Sequence, residues 1–161
     1  NTIIYKYSTQ VSSATNNQME LSAVLHALQY IDEHPENTCI IYSDSAYAVN
    51  ACNDWVYTWA ANGWRNSKNH IVENIAFMQE IYRYLTKGFF RPDIRKCSGH
   101  TGELGNELAD ALATNNMKKY KELIEGWGII DGYEEEDCYE CDGRCLNCDL
   151  FNGERCLGEK E

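Results

Sequence analysis

Apolar and polar residues alternate from Asn1 to Val11 in a stretch rich in Ile, Tyr and Thr, which predicts a strand. Ser12 to Asn17 is a polar turn able to cap a helix. From Met19 the period changes: Leu21, Val24, Leu25, Leu28 and Ile31 recur at helical spacing. His34-Pro35-Glu36-Asn37 closes that helix. Cys39-Ile40-Ile41-Tyr42-Ser43 is short, apolar and rich in β-formers, and predicts a buried strand with Asp44 directly at its end. Ser45 to Cys52 predicts a short helix. Trp55, Trp59 and Trp64 then lie in a polar, semi-helical stretch, and Ile71, Ile75, Met78, Ile81, Tyr82 and Leu85 mark a long amphipathic helix. Phe89 to Ser98 predicts a strand, with Pro92 placing it at an edge or a bulge. A helix follows from about Gly105, and Tyr120 to Gly126 extends it or forms another. Past Gly126 the periodicity stops.

Strands alternating with helices predict the α/β class with a partly parallel sheet. A length of 161 residues suits one domain with a real core. No apolar run approaches the length of a membrane span and no signal peptide opens the sequence, so no membrane partner is expected. The first residue is Asn1 rather than Met, which makes a fragment or a processed product one reading of the chain.

Charge divides the chain. The net charge is −11, yet residues 122 to 161 hold 13 acidic and 3 basic residues against 12 and 11 in residues 1 to 121. The acidity belongs to the tail and does not exclude a nucleic-acid partner for the first part. Cysteines divide the same way. Cys39, Cys52 and Cys97 are scattered and read as buried free thiols, whereas Cys138, Cys141, Cys145, Cys148 and Cys156 crowd the tail. In an intracellular chain such a cluster is more often metal-binding than disulfide-bonded. The expected organisation is a domain over 1–126 followed by an acidic, Cys-rich tail over 127–161.

Three acids stand at the ends of elements: Glu20 in the first turn of the first helix, Asp44 after a buried strand, and Asp110 near the start of the helix that follows a glycine-rich loop. Sheets of this kind gather their ligands where strand ends meet helix starts. Each acid also has an ordinary role at its position. Glu20 suits a helix dipole, Asp44 a helix cap, and Asp110 a solvated surface. His100 lies on the loop between Gly99, Gly102 and Gly105, and as a lone residue reads as an exposed histidine.

The contexts TNNQMEL, YSDSAY and GHTGELGNELADALA occur in this order around Glu20, Asp44 and Asp110. Together they resemble type 1 ribonuclease H over roughly Asn1 to Thr114. The segment WVYTWAANGWRNS resembles the substrate-binding protrusion of the stand-alone enzymes. The resemblance implies a ribonuclease H-like fold, a mixed central sheet flanked by helices, and an endonuclease that hydrolyses the RNA strand of RNA–DNA hybrids. It implies that Glu20, Asp44 and Asp110 hold two Mg2+ ions, with Mn2+ as a substitute, because hard cations take oxygen ligands. His100 matches the family's mobile histidine near the leaving group. Asn16 and Asn17 match readers of the hybrid's minor groove, where 2′-hydroxyls mark the RNA strand. Thr15 and Asn74 match a pocket for a DNA phosphate, and Tyr47, Trp55, Trp59 and Ser67 match the channel for the DNA strand. Trp55 and Trp59, at i and i+4, would equally suit ordinary helix packing.

The chain departs from that family in several places. The family's fourth carboxylate, on its first strand, has no counterpart ahead of Asn1, so an N-terminally truncated fold and an inactive or impaired enzyme are expected. A non-catalytic hybrid-binding module, or an interaction domain of a larger protein, is the alternative. Ile129-Ile130-Asp131-Gly132 and Glu140 to Cys145 faintly echo the missing phrase, which would make the chain a circular permutant. Ala60 and Ala61 stand where the protrusion usually carries lysines, leaving Arg65 and Lys68. In the tail, Cys138, Cys141, Cys148 and Cys156 form a candidate set of four for Zn2+, against disulfides or free thiols. So acidic a tail is expected to meet a protein partner or to fold back over the basic residues of the first part, and a cytoplasmic monomer is the expected form of the whole.

Overall fold

In a computed structural model, residues 1–88, 91–99 and 102–132 are described. His100 and the candidate zinc set Cys138, Cys141, Cys148 and Cys156 lie outside the described residues. The α/β class holds. In chain order the elements are β1 (Thr2–Ile3), α1 (Asn16–Glu33), β2 (Ile40–Ser43), α2 (Ala46–Asn50), a π-helical turn (Ala51–Trp55), α3 (Val56–Ala61), α4 (Ile75–Lys87), β3 (Asp93–Lys96), α5 (Leu104–Ala113), α6 (Met117–Trp127) and β4 (Ile130–Asp131).

Helix α1 starts earlier than the apolar period implies because its cap is complete. The Thr15 hydroxyl accepts from the Gln18 amide at 3.3 Å, and the Gln18 side-chain oxygen accepts from the Thr15 amide at 2.8 Å. Two orphan donors are thereby satisfied reciprocally. Glu20 consequently sits in the second turn of α1, not in the first. Leu21, Val24, Leu25 and Leu28 form one buried stripe on this helix, and it packs on α4. Phe77, Met78, Ile81 and Leu85 line the facing stripe of α4.

Strands β2 and β3 pair in parallel, with Ile41 opposite Ile94 and Ser43 opposite Lys96. Ile41 and Ile94 are both buried and face the helices, while Ile40 and Tyr42 on the opposite face are exposed. Parallel strands need a long crossover, which α2 through α4 supply. Asn50 runs into the π-helical turn without interruption, so Ala46 to Ala61 is one continuous helical rod with a widened middle. The widening changes which backbone groups pair. Cys52 O, for example, accepts from Arg91 Nη2 at 3.3 Å, and the same guanidinium lies 4.7 Å over the ring of Tyr57.

The N-terminal segment departs from the strand expected over Asn1 to Val11. Only Thr2–Ile3 enters a ladder, paired in parallel with Ile130–Asp131. Its aromatic residues pack on α1 instead: Tyr5 stacks on Tyr30 at 4.8 Å and Tyr7 meets His26 at 4.0 Å. Side chains that alternate along an extended segment can be satisfied by a helix as readily as by a neighbouring strand. The strand expected over Phe89 to Ser98 is likewise shorter, β3 starting only after Pro92, which has no amide to donate.

Past Gly126 the described chain runs through the end of α6 and β4 to Gly132. Tyr120 and Ile129 join Leu108 and Ala111 in a second buried cluster, distinct from the one around α1 and α4. Asp131 of β4 accepts from Lys6 Nζ at 3.0 Å and from Tyr120 Oη at 3.3 Å. Asp131 thus joins β4 to the N-terminal segment and to α6. Cys39, Cys52 and Cys97 are free thiols, the last two buried. Among the described residues, no helix is long and apolar enough to cross a membrane.

Two stability predictions follow from this packing. Leu25→Ala removes a side chain that is 1% exposed, and should cost about 2–5 kcal/mol. Thr15→Ala removes only the cap, at about 1 kcal/mol. Urea denaturation checks the pair, and equal losses would contradict this division of roles. Burial first, then the charge and hydrogen bond of Asp131, push the Tyr120 hydroxyl up to about 12. The neutral phenol is therefore favoured by the folded state. Its contribution is complete below the ordinary tyrosine value of about 10 and is lost as pH rises from there through the folded value. Stability should fall over that window, and the fall should be shallower in Tyr120→Phe.

Candidate active site

Asp44 ends β2, and its carboxylate is held from two sides. Asn106 Nδ2, on α5, donates to Asp44 Oδ2 at 3.1 Å. The loop after β3 closes the other side. A Cβ placed on Gly99 would lie 2.9 Å from Asp44 Oδ2, so any side chain there would collide with the carboxylate. That close approach, rather than hinge freedom alone, explains a glycine at 99. Asn106 is itself held, its Oδ1 accepting from Cys97 Sγ at 3.6 Å, and the Cys97 amide continues the ladder by donating to Ser43 O at 3.0 Å.

Glu20 faces the same region from α1. Burial first, and then the negative charge of Asp44, hold its carboxyl above the ordinary value. The same charge, after burial, raises the Cys97 thiol. Glu20 and Asp44 thus share one negative field in a half-buried place. Two like charges so arranged are relieved either by a proton or by a cation.

Asp110 lies in the later part of α5, six residues past Leu104, and not near the helix start. The helix begins at Leu104, close to the expected start, and five or six residues already carry Asp110 past the first turn of about 3.6 residues. Asn106 and Asp110 are four residues apart and so lie on one face of α5, the face that reaches Asp44. Asp110 is also engaged by α6. Lys119 Nζ lies 3.0 Å from Asp110 Oδ2 and 2.8 Å from Glu107 Oε2. Among the described residues, no group of three or more His, Cys, Asp or Glu side chains converges at metal-binding distance. Glu20 and Asp44 are therefore brought into one field, and Asp110 is brought to the neighbouring helix face with a lysine already on it. The oxygen donors suit a hard divalent cation, and the shared field of Glu20 and Asp44 fits one.

The residues expected to hold a nucleic acid fall into groups. Asn74 precedes α4 in the left-handed region at φ +55° and gives its helix no side-chain cap. Its amide donates instead to the Tyr47 hydroxyl at 3.2 Å. Asparagine is among the few residue types besides glycine that take this conformation readily. Tyr47 and Trp55 meet edge to face at 5.6 Å, and Trp55 and Trp59 also lie 5.6 Å apart. Tyr47, Asn74, Trp55 and Trp59 thus form one partly exposed surface. Asn16 and Asn17 are exposed in the first turn of α1, one turn ahead of Glu20. Thr15 serves as the cap of that helix, and Ser67 is exposed in the turn before α4. Asn106 and Lys119 escape a reading of the sequence. The signal for Asn106 is its spacing of four from Asp110; for Lys119, in a run of lysines on another helix, there is none.

The family model described as RNase H matches residues 2–118. A ribonuclease H of Verminephrobacter eiseniae is 37% identical over 103 residues, covering 64% of this chain and 65% of that protein. A ribonuclease H of Caldicellulosiruptor saccharolyticus is 33% identical over 125 residues, covering 74% and 83%. The chain spans about 65% of the length of the first of these relatives. Among solved structures, a foamy viral protease-reverse transcriptase in complex with RNA/DNA hybrid is similar in fold. Its TM-score is 0.52 at 24% identity, over 67% of this chain and 14% of that one. A match that runs from residue 2 to residue 118 takes in Glu20, Asp44 and Asp110 together with the helices and the strand end that carry them, and on it the chain belongs to the ribonuclease H family.

Proposed function

We propose that the protein hydrolyses the RNA strand of RNA–DNA hybrids, with Glu20, Asp44 and Asp110 as the ligands of divalent cations, Mg2+ by preference and Mn2+ as a substitute. The observation that carries this reading is the RNase H family match over residues 2–118, which takes in Glu20, Asp44 and Asp110, together with Asp44 standing just after β2 and braced by Asn106 at 3.1 Å. When bound, the cations supply an activated water and a counter-charge at the leaving oxygen. The chain's own residues do the rest. Asn106 keeps one Asp44 oxygen oriented and leaves the other free to ligate. Gly99 lets its loop pass against the carboxylate, and His100, by its match to the family's mobile histidine, assists the departing group. Asn16 and Asn17 reach the minor groove, where they contact 2′-hydroxyls. Asn74 and Thr15 receive a DNA phosphate, and Tyr47, Trp55, Trp59 and Ser67 receive the DNA strand. Contacts of this kind sense the shape of a hybrid and not its sequence. Few cationic side chains flank that surface, so binding should depend only weakly on salt. Free, buried thiols at Cys52 and Cys97 support an intracellular, cytoplasmic setting.

In a protein extended to carry the family's first-strand carboxylate, Asp44→Asn should bring cleavage of a labelled RNA–DNA hybrid to background while leaving hybrid affinity near its native value, since the groove contacts remain. Loss of binding along with cleavage would refute the assignment. Cleavage absent from that extended protein, with hybrid binding intact, would identify a binding module instead. Asn106→Ala should lower cleavage by about 10–100-fold, the usual cost of removing a group that orients a metal ligand. An unchanged rate would deny Asn106 that role.

A further inference from the structure

We infer that Lys119 is a positioning residue that competes with the divalent cation for Asp110, so that full loading of the site requires the lysine to move aside. The inference deepens the reading above and rests on it. Lys119 belongs to α6 and lies just beyond the 2–118 span matched by the family. Its ammonium sits between two acids of α5, 2.8 Å from Glu107 and 3.0 Å from Asp110. Its backbone is fixed: the Lys119 amide donates to Asn116 Oδ1 at 3.1 Å, and the next residue, Tyr120, is buried in the second core. Its side chain is not. It is one third exposed, and a lysine stem has several rotatable bonds that let the ammonium swing without unfolding the helix.

Glu107 makes this arrangement more than an ion pair. It lies three residues before Asp110 on the same helix face. The ammonium can therefore leave Asp110 and stay on Glu107. Asn106, adjacent to Glu107, already ties this part of α5 to Asp44. Releasing Asp110 thus frees a carboxylate four residues along the same face from the group that touches Asp44. Lys119 and a divalent cation cannot share Asp110 Oδ2 without like-charge repulsion. Glu107 sets the balance by giving the lysine a second resting place.

The test is Mn2+ binding to the complete chain, followed by the electron paramagnetic resonance signal of free Mn2+, with circular dichroism as the check on folding. Lys119→Met should bind Mn2+ about two- to fivefold more tightly, the change expected from losing a partly exposed ion pair. Lys119→Gln should do the same should the methionine variant fold poorly. Lys119→Arg, which keeps the charge, should stay near the native affinity. Glu107→Gln should weaken binding, because it leaves Asp110 as the lysine's sole acidic partner of the two. These opposite signs would not arise from a merely structural role. Unchanged affinity in Lys119→Met and Lys119→Gln, beside a weakened Asp44→Asn, would overturn the role of Lys119 alone. Unchanged affinity in Asp44→Asn would overturn the carboxylate site itself, and the lysine's role with it.

Discussion

The hydrogen bond from Asn106 to Asp44 joins a strand end to a helix 62 residues further along the chain. An ionised carboxylate in a half-buried place must be paired, hydrogen-bonded or protonated. Here the neutral amide of Asn106 satisfies one oxygen without cancelling the charge. That choice preserves the negative field that Glu20 also feels. It brings in α5, and with α5 come Asp110 and the loop that passes Gly99. A cationic partner at position 106 would have steadied Asp44 equally well and removed the field.

The geometry around that bond depends on the parallel ladder of β2 and β3. Ile41 and Ile94 lie opposite each other and bury one face of the ladder against the helices. Because side chains alternate along a strand, a slip of one residue would turn this face outward. The register is therefore fixed by apolar burial, and with it the place where β2 stops and Asp44 begins. The ladder runs on through the Cys97 amide to Ser43 O, which aims the following loop at the carboxylate.

Two buried clusters divide the work. The larger one, around α1, α2, α3 and α4, holds Glu20, the aromatic surface and the ladder. The smaller one packs α6 and β4 on α5 and draws in Ile3. The Lys6–Asp131–Tyr120 latch closes the second cluster across the two ends of the described chain. This second cluster places α6, and therefore Lys119, beside Asp110. A helix packed there for burial thus also sets the charge around a candidate ligand.

Much of this was legible in the chain itself. The apolar pattern located α1, α4 from Ile75 onward and the strand at Ile40 to Ser43, because burial of one face demands a period whatever the neighbours; the strand buries only its Ile41 face, and Ile71 lies exposed ahead of α4. The local contexts of Glu20, Asp44 and Asp110 pointed to the family that the match over residues 2–118 shows. Boundaries were less legible. Glu20 moved to the second turn through a reciprocal cap between Thr15 and Gln18, and Asp110 lies past the first turn of α5 and not near its start. The strand expected over Asn1 to Val11 shortened because α1 offered Tyr5 and Tyr7 aromatic partners. Tertiary structure alone decided that Asn106 braces Asp44, that Asn74 gives its amide to Tyr47 and not to its own helix, and that Lys119 sits on Asp110. Each of these joins groups on different elements, with distances set by how the helices pack. A local pattern records the face a residue occupies; it holds no record of what the opposite element presents to that face.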